Sequence, residues 1–275
     1  MLLLFFAGEA MAQSPVGELL LLEGKARIRR AGKQVVMDKP DSRQPVFERD
    51  IIITATNSKA RLEFDRKRYD GNEVTTELYA KTHFVVTTAS APNSSFMMGL
   101  GKALFSVGTK LRGKRFNVNT PTATIGVKGT KFLLGSEVDK TFVVTLEGVV
   151  SVISHAFRQL EVLAEINQAT MIAANLAPTP PIEVPADLRD GLVASKGLGE
   201  FQAMKFPAPP AGAGEGGGGE DDEGGDDEGG DDEGGGGDVG SALSTLSSVA
   251  DAVGDATSEL TGQTPTKGVE IGFDR

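Results

Sequence analysis

The 275-residue sequence has no cysteine and no tryptophan, and only two histidines and two tyrosines. Without cysteine there is no disulfide, thiol nucleophile, cysteine-ligated zinc or cysteine for lipid attachment. Two histidines do not furnish a multi-histidine metal centre. The shortage of Trp and Tyr argues against a carbohydrate cleft floored by stacked rings. No apolar run approaches the roughly 18 residues that would cross a bilayer as a helix, and no Gly-x-Ser-x-Gly nucleophile elbow occurs.

What is present is unevenly distributed. The net charge of −10 conceals a split: residues 212–240 hold 12 acidic and no basic residues, leaving 26 acidic against 28 basic elsewhere. A mildly basic body is joined to a strongly acidic tail. That tail contains three consecutive Asp-Asp-Glu-Gly-Gly units at 221–225, 226–230 and 231–235. With no apolar residue to bury and with mutual repulsion, it is expected to be disordered. Asp221, Asp222, Glu223, Asp226, Asp227, Glu228, Asp231, Asp232 and Glu233 are candidate weak calcium ligands. The spacing matches no defined calcium loop, so a diffuse counterion cloud is the default, no specific metal site is assigned and no cofactor is expected. Beyond it, Ser241–Leu260 carries apolar residues at three- and four-residue steps and is expected to form a short amphipathic helix.

The chain opens Met1-Leu-Leu-Leu-Phe-Phe6 and reaches Ala10-Met11-Ala12 before Gln13. An apolar stretch followed by A-x-A is the pattern of a secretory signal, here short and without a positive start. Residues 1–12 are therefore expected to be a signal peptide truncated at its start, and the mature chain periplasmic or secreted.

From Gly17 to about Ile172 the pattern is one of short strands. Ala60, Leu62 and Phe64 alternate with Arg61, Glu63 and Asp65, and Phe142, Val144 and Leu146 alternate with Val143 and Thr145. Period two with one apolar face means half-buried strands. Ten or more of them, separated by signals such as Asp70-Gly71, predict an all-β antiparallel sandwich or β-roll over 17–180. A Pro-rich strap and a short helix follow over 181–206, where Leu188, Leu192 and Val193 favour helix and Gly191, Gly197 and Gly199 weaken it. Residues 207–240 read as linker and 241–275 as a C-terminal amphipathic segment.

Over residues 116–132 the apolar positions change parity. Ile125 and Val127 share one strand face, but Phe132 and Leu134 have the opposite parity. A strand that switches its buried face needs an extra residue, and Gly129 is the natural place for a bulge. Gly126 is expected to leave room for a neighbouring group. This segment resembles the signature of the FecR-like domain, on Thr120, Pro121, Gly126, Lys128, Gly129, Thr130 and Phe132. Later residues Leu146, Glu147, Gly148 and Val150, and earlier Asp50, Ile53, Thr54, Ala60, Leu62 and Phe64, fit its other blocks in order. Two departures are the turn delayed to Asp70-Gly71 and Asn167-Gln168 in place of Gly-Gln. The resemblance implies a periplasmic all-β module, of the kind that forms the outer half of iron-transport regulators. Those regulators carry a cytoplasmic helical domain and a membrane span before the module, which this sequence lacks, so the stand-alone exported variety is expected.

The signature residues are read as shaping turns rather than holding phosphate, because no helix opens after them. Lys128 is read as a solvated strand residue in preference to a contact for a partner carboxylate. Two basic clusters, Arg66, Lys67 and Arg68, and Lys110, Arg112, Lys114 and Arg115, are candidate contacts for an anionic envelope polymer or protein partner. Nucleic acid is not expected, since no aromatics interleave with these clusters. His83 and His155 are read as structural, and Glu147 and Glu161 as a weak candidate for paired catalytic carboxylates. The function expected is non-catalytic: protein binding, scaffolding or envelope signalling. A cation-responsive sensor using the acidic tail and a cell-wall or carbohydrate-active protein are the alternatives.

Overall fold

A computed structural model of the chain describes residues 14–90, 93–108, 115–127 and 129–210. These form seventeen strands, a short 3-10 turn and two short helices. The strands are β1 (Gly17–Glu23), β2 (Ala26–Arg30), β3 (Lys33–Met37), β4 (Arg43–Val46), β5 (Ile51–Thr54), β6 (Lys59–Phe64), β7 (Val74–Leu78) and β8 (His83–Ser90). They continue with β9 (Asn93–Val107), β10 (Arg115–Asn119), β11 (Ala123–Val127), β12 (Lys131–Ser136), β13 (Lys140–Glu147), β14 (Val150–Ser154), β15 (Glu161–Ala164), β16 (Gln168–Ala173) and β17 (Ile182–Glu183). The helices are α1 (Ala186–Ala194) and α2 (Gly199–Ala203). The expected calcium ligands of the tail, the amphipathic segment 241–275 and the signal segment 1–12 lie outside the described residues.

The strand pairings define two sheets facing each other. Sheet I runs β4-β1-β6-β7-β9-β12-β13-β16-β17 and sheet II runs β3-β2-β5-β8-β9-β10-β11-β14-β15. Pairing is antiparallel everywhere except between β9 and β10. The 15-residue β9 belongs to both: residues 93–100 pair in sheet II with β8, and 101–107 pair in sheet I with β7 and β12. The crossing occurs at Gly101, whose φ of +102° suits only glycine.

The inner faces of the two sheets enclose the main core. Phe84, Phe96, Phe105, Phe116 and Phe132 form a chain of ring contacts through it, with centroids 4.7 Å apart for Phe96–Phe116 and 4.8 Å for Phe105–Phe132. A second apolar cluster lies on the outer face of sheet I. There Leu104, Leu133, Phe142 and Val144 are covered by Leu192 and Phe201 of the two helices.

The second half of the body repeats the pairing scheme of the first. In sheet I, β16-β13-β12-β9 matches β4-β1-β6-β7; in sheet II, β15-β14-β11-β10 matches β3-β2-β5-β8. The corners also match. Leu22-Glu23-Gly24 joins β1 to β2 with Gly24 at φ +71°, and Leu146-Glu147-Gly148 joins β13 to β14 with Gly148 at φ +78°. A side chain on Gly24 would strike Ser58, between β5 and β6; one on Gly148 would strike Thr130, between β11 and β12. Each corner is thus pressed against the point where its own half changes sheet.

That arrangement revises the expected bulge at Gly129. Ile125 and Val127 face the core from sheet II, whereas Phe132 and Leu134 face it from sheet I. The parity changes because the chain passes from one sheet to the other between β11 and β12. Gly129, at φ +69°, turns that corner; the register irregularity itself falls at Lys131/Phe132.

Candidate functional site: a groove on the outer face of sheet II

The signature strands present small polar residues to the outside. Register places Asn117, Gly126, Ser151 and Leu163 side by side across β10, β11, β14 and β15. The next row is Asn119, Thr124, Ile153 and Glu161. All of these but Asn119, together with Arg115 and Val149, line an open groove of about 730 Å³. Its rim is apolar: Val149 is 45% and Leu163 56% exposed. Inside it, the Ser151 hydroxyl donates to Glu161, and Thr124 Oγ1 donates to Asn119 Oδ1 at 2.8 Å. His155 lies at one end, 3.1 Å from Thr124 Oγ1 and 3.3 Å from the Pro121 carbonyl. Burial holds its imidazole below the ordinary range, with the Pro121 carbonyl opposing and Arg158 reinforcing that shift.

Gly126 makes the floor. A Cβ built there would sit 3.6 Å from Asn117 Oδ1 and 3.8 Å from Ser151, ordinary contact distances, so the glycine admits no close neighbour and leaves open space instead. The first half of the molecule shows the same face filled. The matching row is Val36, Arg27, Ile53 and His83 across β3, β2, β5 and β8. Ile53 stands where Gly126 does, Arg27 where Ser151 does and His83 where Asn117 does. Arg27 and Ile53 are each 8% exposed and His83 2%. The groove therefore arises from three reductions in bulk on an otherwise repeated surface.

The other sequence candidates have structural places. Thr120 Oγ1 contacts both N and O of Ala123 at 3.1 Å and receives the Thr141 hydroxyl, closing the turn that contains Pro121. Thr130 is buried beside Gly148, and Phe132 stacks in the core. Glu147 and Glu161 line different cavities. Arg66, Lys67 and Arg68 lie in the 3-10 turn Arg66–Tyr69 that delays the Asp70-Gly71 signal. Arg66 pairs with Glu73 at 3.0 Å, and Arg68 bonds Ser14, Pro15 and Ala89, leaving Lys67 exposed. Of the second basic cluster only Arg115 is described, and it lines the groove; Lys110, Arg112, Lys114 and the signature Lys128 lie outside the described residues.

Among the described residues no group of three or more His, Asp or Glu is placed to hold a metal. No helix among them is long and apolar enough to cross a membrane. Reading the sequence did not single out Asn117, Thr124, Ser151, Ile153 or Leu163. The available signal was the second Leu-Glu-Gly, which aligns the two halves and exposes Ile53 against Gly126.

Residues 50–151 match the FecR protein family, a stretch that begins at the buried Asp50 and ends at Ser151 in the groove. No curated protein matches the chain. Two solved structures of an inferred anti-sigma factor from Parabacteroides distasonis are similar, each 19% identical, with TM-scores of 0.43 and 0.42. The match covers 52% of this chain, and 64% and 63% of those chains, so just under two thirds of their length is spanned.

Proposed function

We propose that this chain, which carries a FecR domain over residues 50–151, is an exported, non-catalytic binding module of the cell envelope that takes a protein partner into the sheet II groove. One observation carries the reading: the same face is closed by Arg27, Ile53 and His83 in one half and open over Ser151, Gly126 and Asn117 in the other. The first half also indicates the occupant. The space over Gly126 suits a branched aliphatic side chain, which Ile53 supplies internally, and the rim residues Val149 and Leu163 offer apolar contact to the segment carrying it. Export is supported by the apolar start and A-x-A sequence, and a regulatory role by the family match.

Filling the groove tests it. Gly126→Ile has space for its Cβ and no positive φ to strain. It should abolish photo-crosslinking of an envelope partner to a probe at Ser151 while the thermal midpoint stays within a few degrees of wild type. Equal crosslinking by wild type and Gly126→Ile would remove the groove from the function.

A further inference from the structure

Lys102 is fully buried on the outer face of sheet I, an unusual place for a lysine. Register sets it in a row with Gly135, Phe142 and Met171, beside Tyr79. Its ammonium donates to the carbonyls of Leu192 and Ser195 and, at 2.9 Å, to Ser195 Oγ, and lies 4.4 Å from the centre of the Tyr79 ring. Leu192 and Ser195 are at the C-terminal end of α1, where carbonyls lack helical partners and are met by the lysine nitrogen. Tyr79 adds a hydrogen bond from its hydroxyl to the Val193 carbonyl at 3.1 Å.

The way the rest of this segment is attached is equally informative. Val184 is the last residue whose backbone joins the sheets, through its N–H to the Asn167 carbonyl. From Pro185 to Phe206 the described backbone–backbone bonds are all internal, such as Arg189 to Pro185, Ser195 to Gly191 and Gln202 to Leu198. Side chains alone hold it down. Leu198 and Phe201 rest on the flat spot left by Gly135, and Phe201 stacks on Phe142 at 5.5 Å. Arg189 donates to Asn167 Oδ1, and exposed pairs join Lys196 to Glu23 and Gln202 to Glu137. The cluster it closes is separate from the core between the sheets.

We propose that residues 186–206 form a detachable lid over the apolar outer face of sheet I, fastened by Lys102 at the C-terminal end of α1. The lid opens as a unit while both sheets stay folded, uncovering Leu104, Leu133, Phe142 and Val144. Residues 211–275 follow it in the chain, so a pull on the chain beyond Pro210 loads the lid before any strand. The inference is independent of the sheet II groove.

The fastening has a pH signature. Burial pushes the Lys102 amine down to about 8, Lys59 pushes the same way and Glu200 opposes. Glu77, also on this face, is paired with Lys59 and Arg61. An open lid returns the lysine to water and to its ordinary value of 10.5. Between about pH 8 and 10.5 the open state thus holds more protons, and rising pH favours closure.

Hydrogen exchange on the full chain tests the lid. Amides of 186–206 should open at least tenfold more often than those of β9, β12 and β13. In wild type their opening, corrected for the intrinsic exchange rate, should fall roughly tenfold from pH 8 to 9.5. Lys102→Met should raise lid exchange at pH 7.5, remove that pH dependence and leave the three strands unchanged. Ser195→Ala keeps the lysine and should raise lid exchange by a smaller factor. A common opening rate for lid and strands in wild type, or unchanged lid exchange in both variants, would overturn the proposal.

Discussion

Asp50 is fully buried and accepts three hydrogen bonds: from Arg30 Nε at 2.7 Å, Arg30 Nη2 at 2.6 Å and the Phe47 N–H at 2.8 Å. The same guanidinium lies 4.1 Å from the Phe47 ring centre. One carboxylate therefore fixes the β4–β5 turn against the end of β2. Asp50→Ala strands an N–H and a guanidinium, and urea unfolding should show a loss of roughly 2–3 kcal/mol; the pair is discounted because Arg30 is partly exposed. A loss below about 0.5 kcal/mol would show that water replaces the carboxylate freely. The sequence marked Asp50 only through a family pattern, and nothing in its neighbours indicated burial. Lys102 was still less legible, since its partners lie about 90 residues downstream. Gly126 was legible as a special position, but its purpose required knowing that Ile53 occupies the matching place.

At the scale of elements, β9 decides the architecture, because among the described strands it alone pairs in both sheets. Its passage depends on Gly101, where a Cβ would lie 2.4 Å from the Thr82 Cα and 2.8 Å from the Lys81 carbonyl. Gly101→Ala combines a strained positive φ with backbone overlap, so calorimetry should show a loss of at least about 2 kcal/mol. A neutral result would mean the two sheets shift apart at little cost. Period-two patterning identified β6 cleanly, with its polar residues on a charged outer face where Arg61 and Lys59 pair with Glu77. The same reading made β13 half-buried, yet Thr141 to Thr145 is buried on both faces. Val143 enters the main core, while Phe142 and Val144 lie under the lid. The run Phe-Val-Val-Thr-Leu contained that information as near-continuous apolarity. What it lacked was the cover, which comes from two helices too short and glycine-interrupted to be firmly read.

For the whole molecule, acid stability should be governed by a histidine that serves no groove or lid. His83 is 2% exposed on the outer face of sheet II, beside Ile53 and Leu100, and neither ring nitrogen has a hydrogen-bond partner. Burial, reinforced by Arg29, pushes its imidazole down to about 4 from an ordinary 6.5. Below 6.5 the unfolded chain takes up a proton at this site that the folded chain refuses, so stability falls as pH drops from 6.5 towards 4 and is fully retained above 6.5. The size of the effect is up to about 3 kcal/mol for a shift of this order. His155 acts in the same direction from a more exposed position. His83→Leu places an apolar side chain between Ile53 and Leu100 and removes the titration. Urea unfolding at pH 7.0 and 5.0 should show wild type losing about 2 kcal/mol more than the variant across that interval. Equal losses would mean that His83 does not carry the acid response.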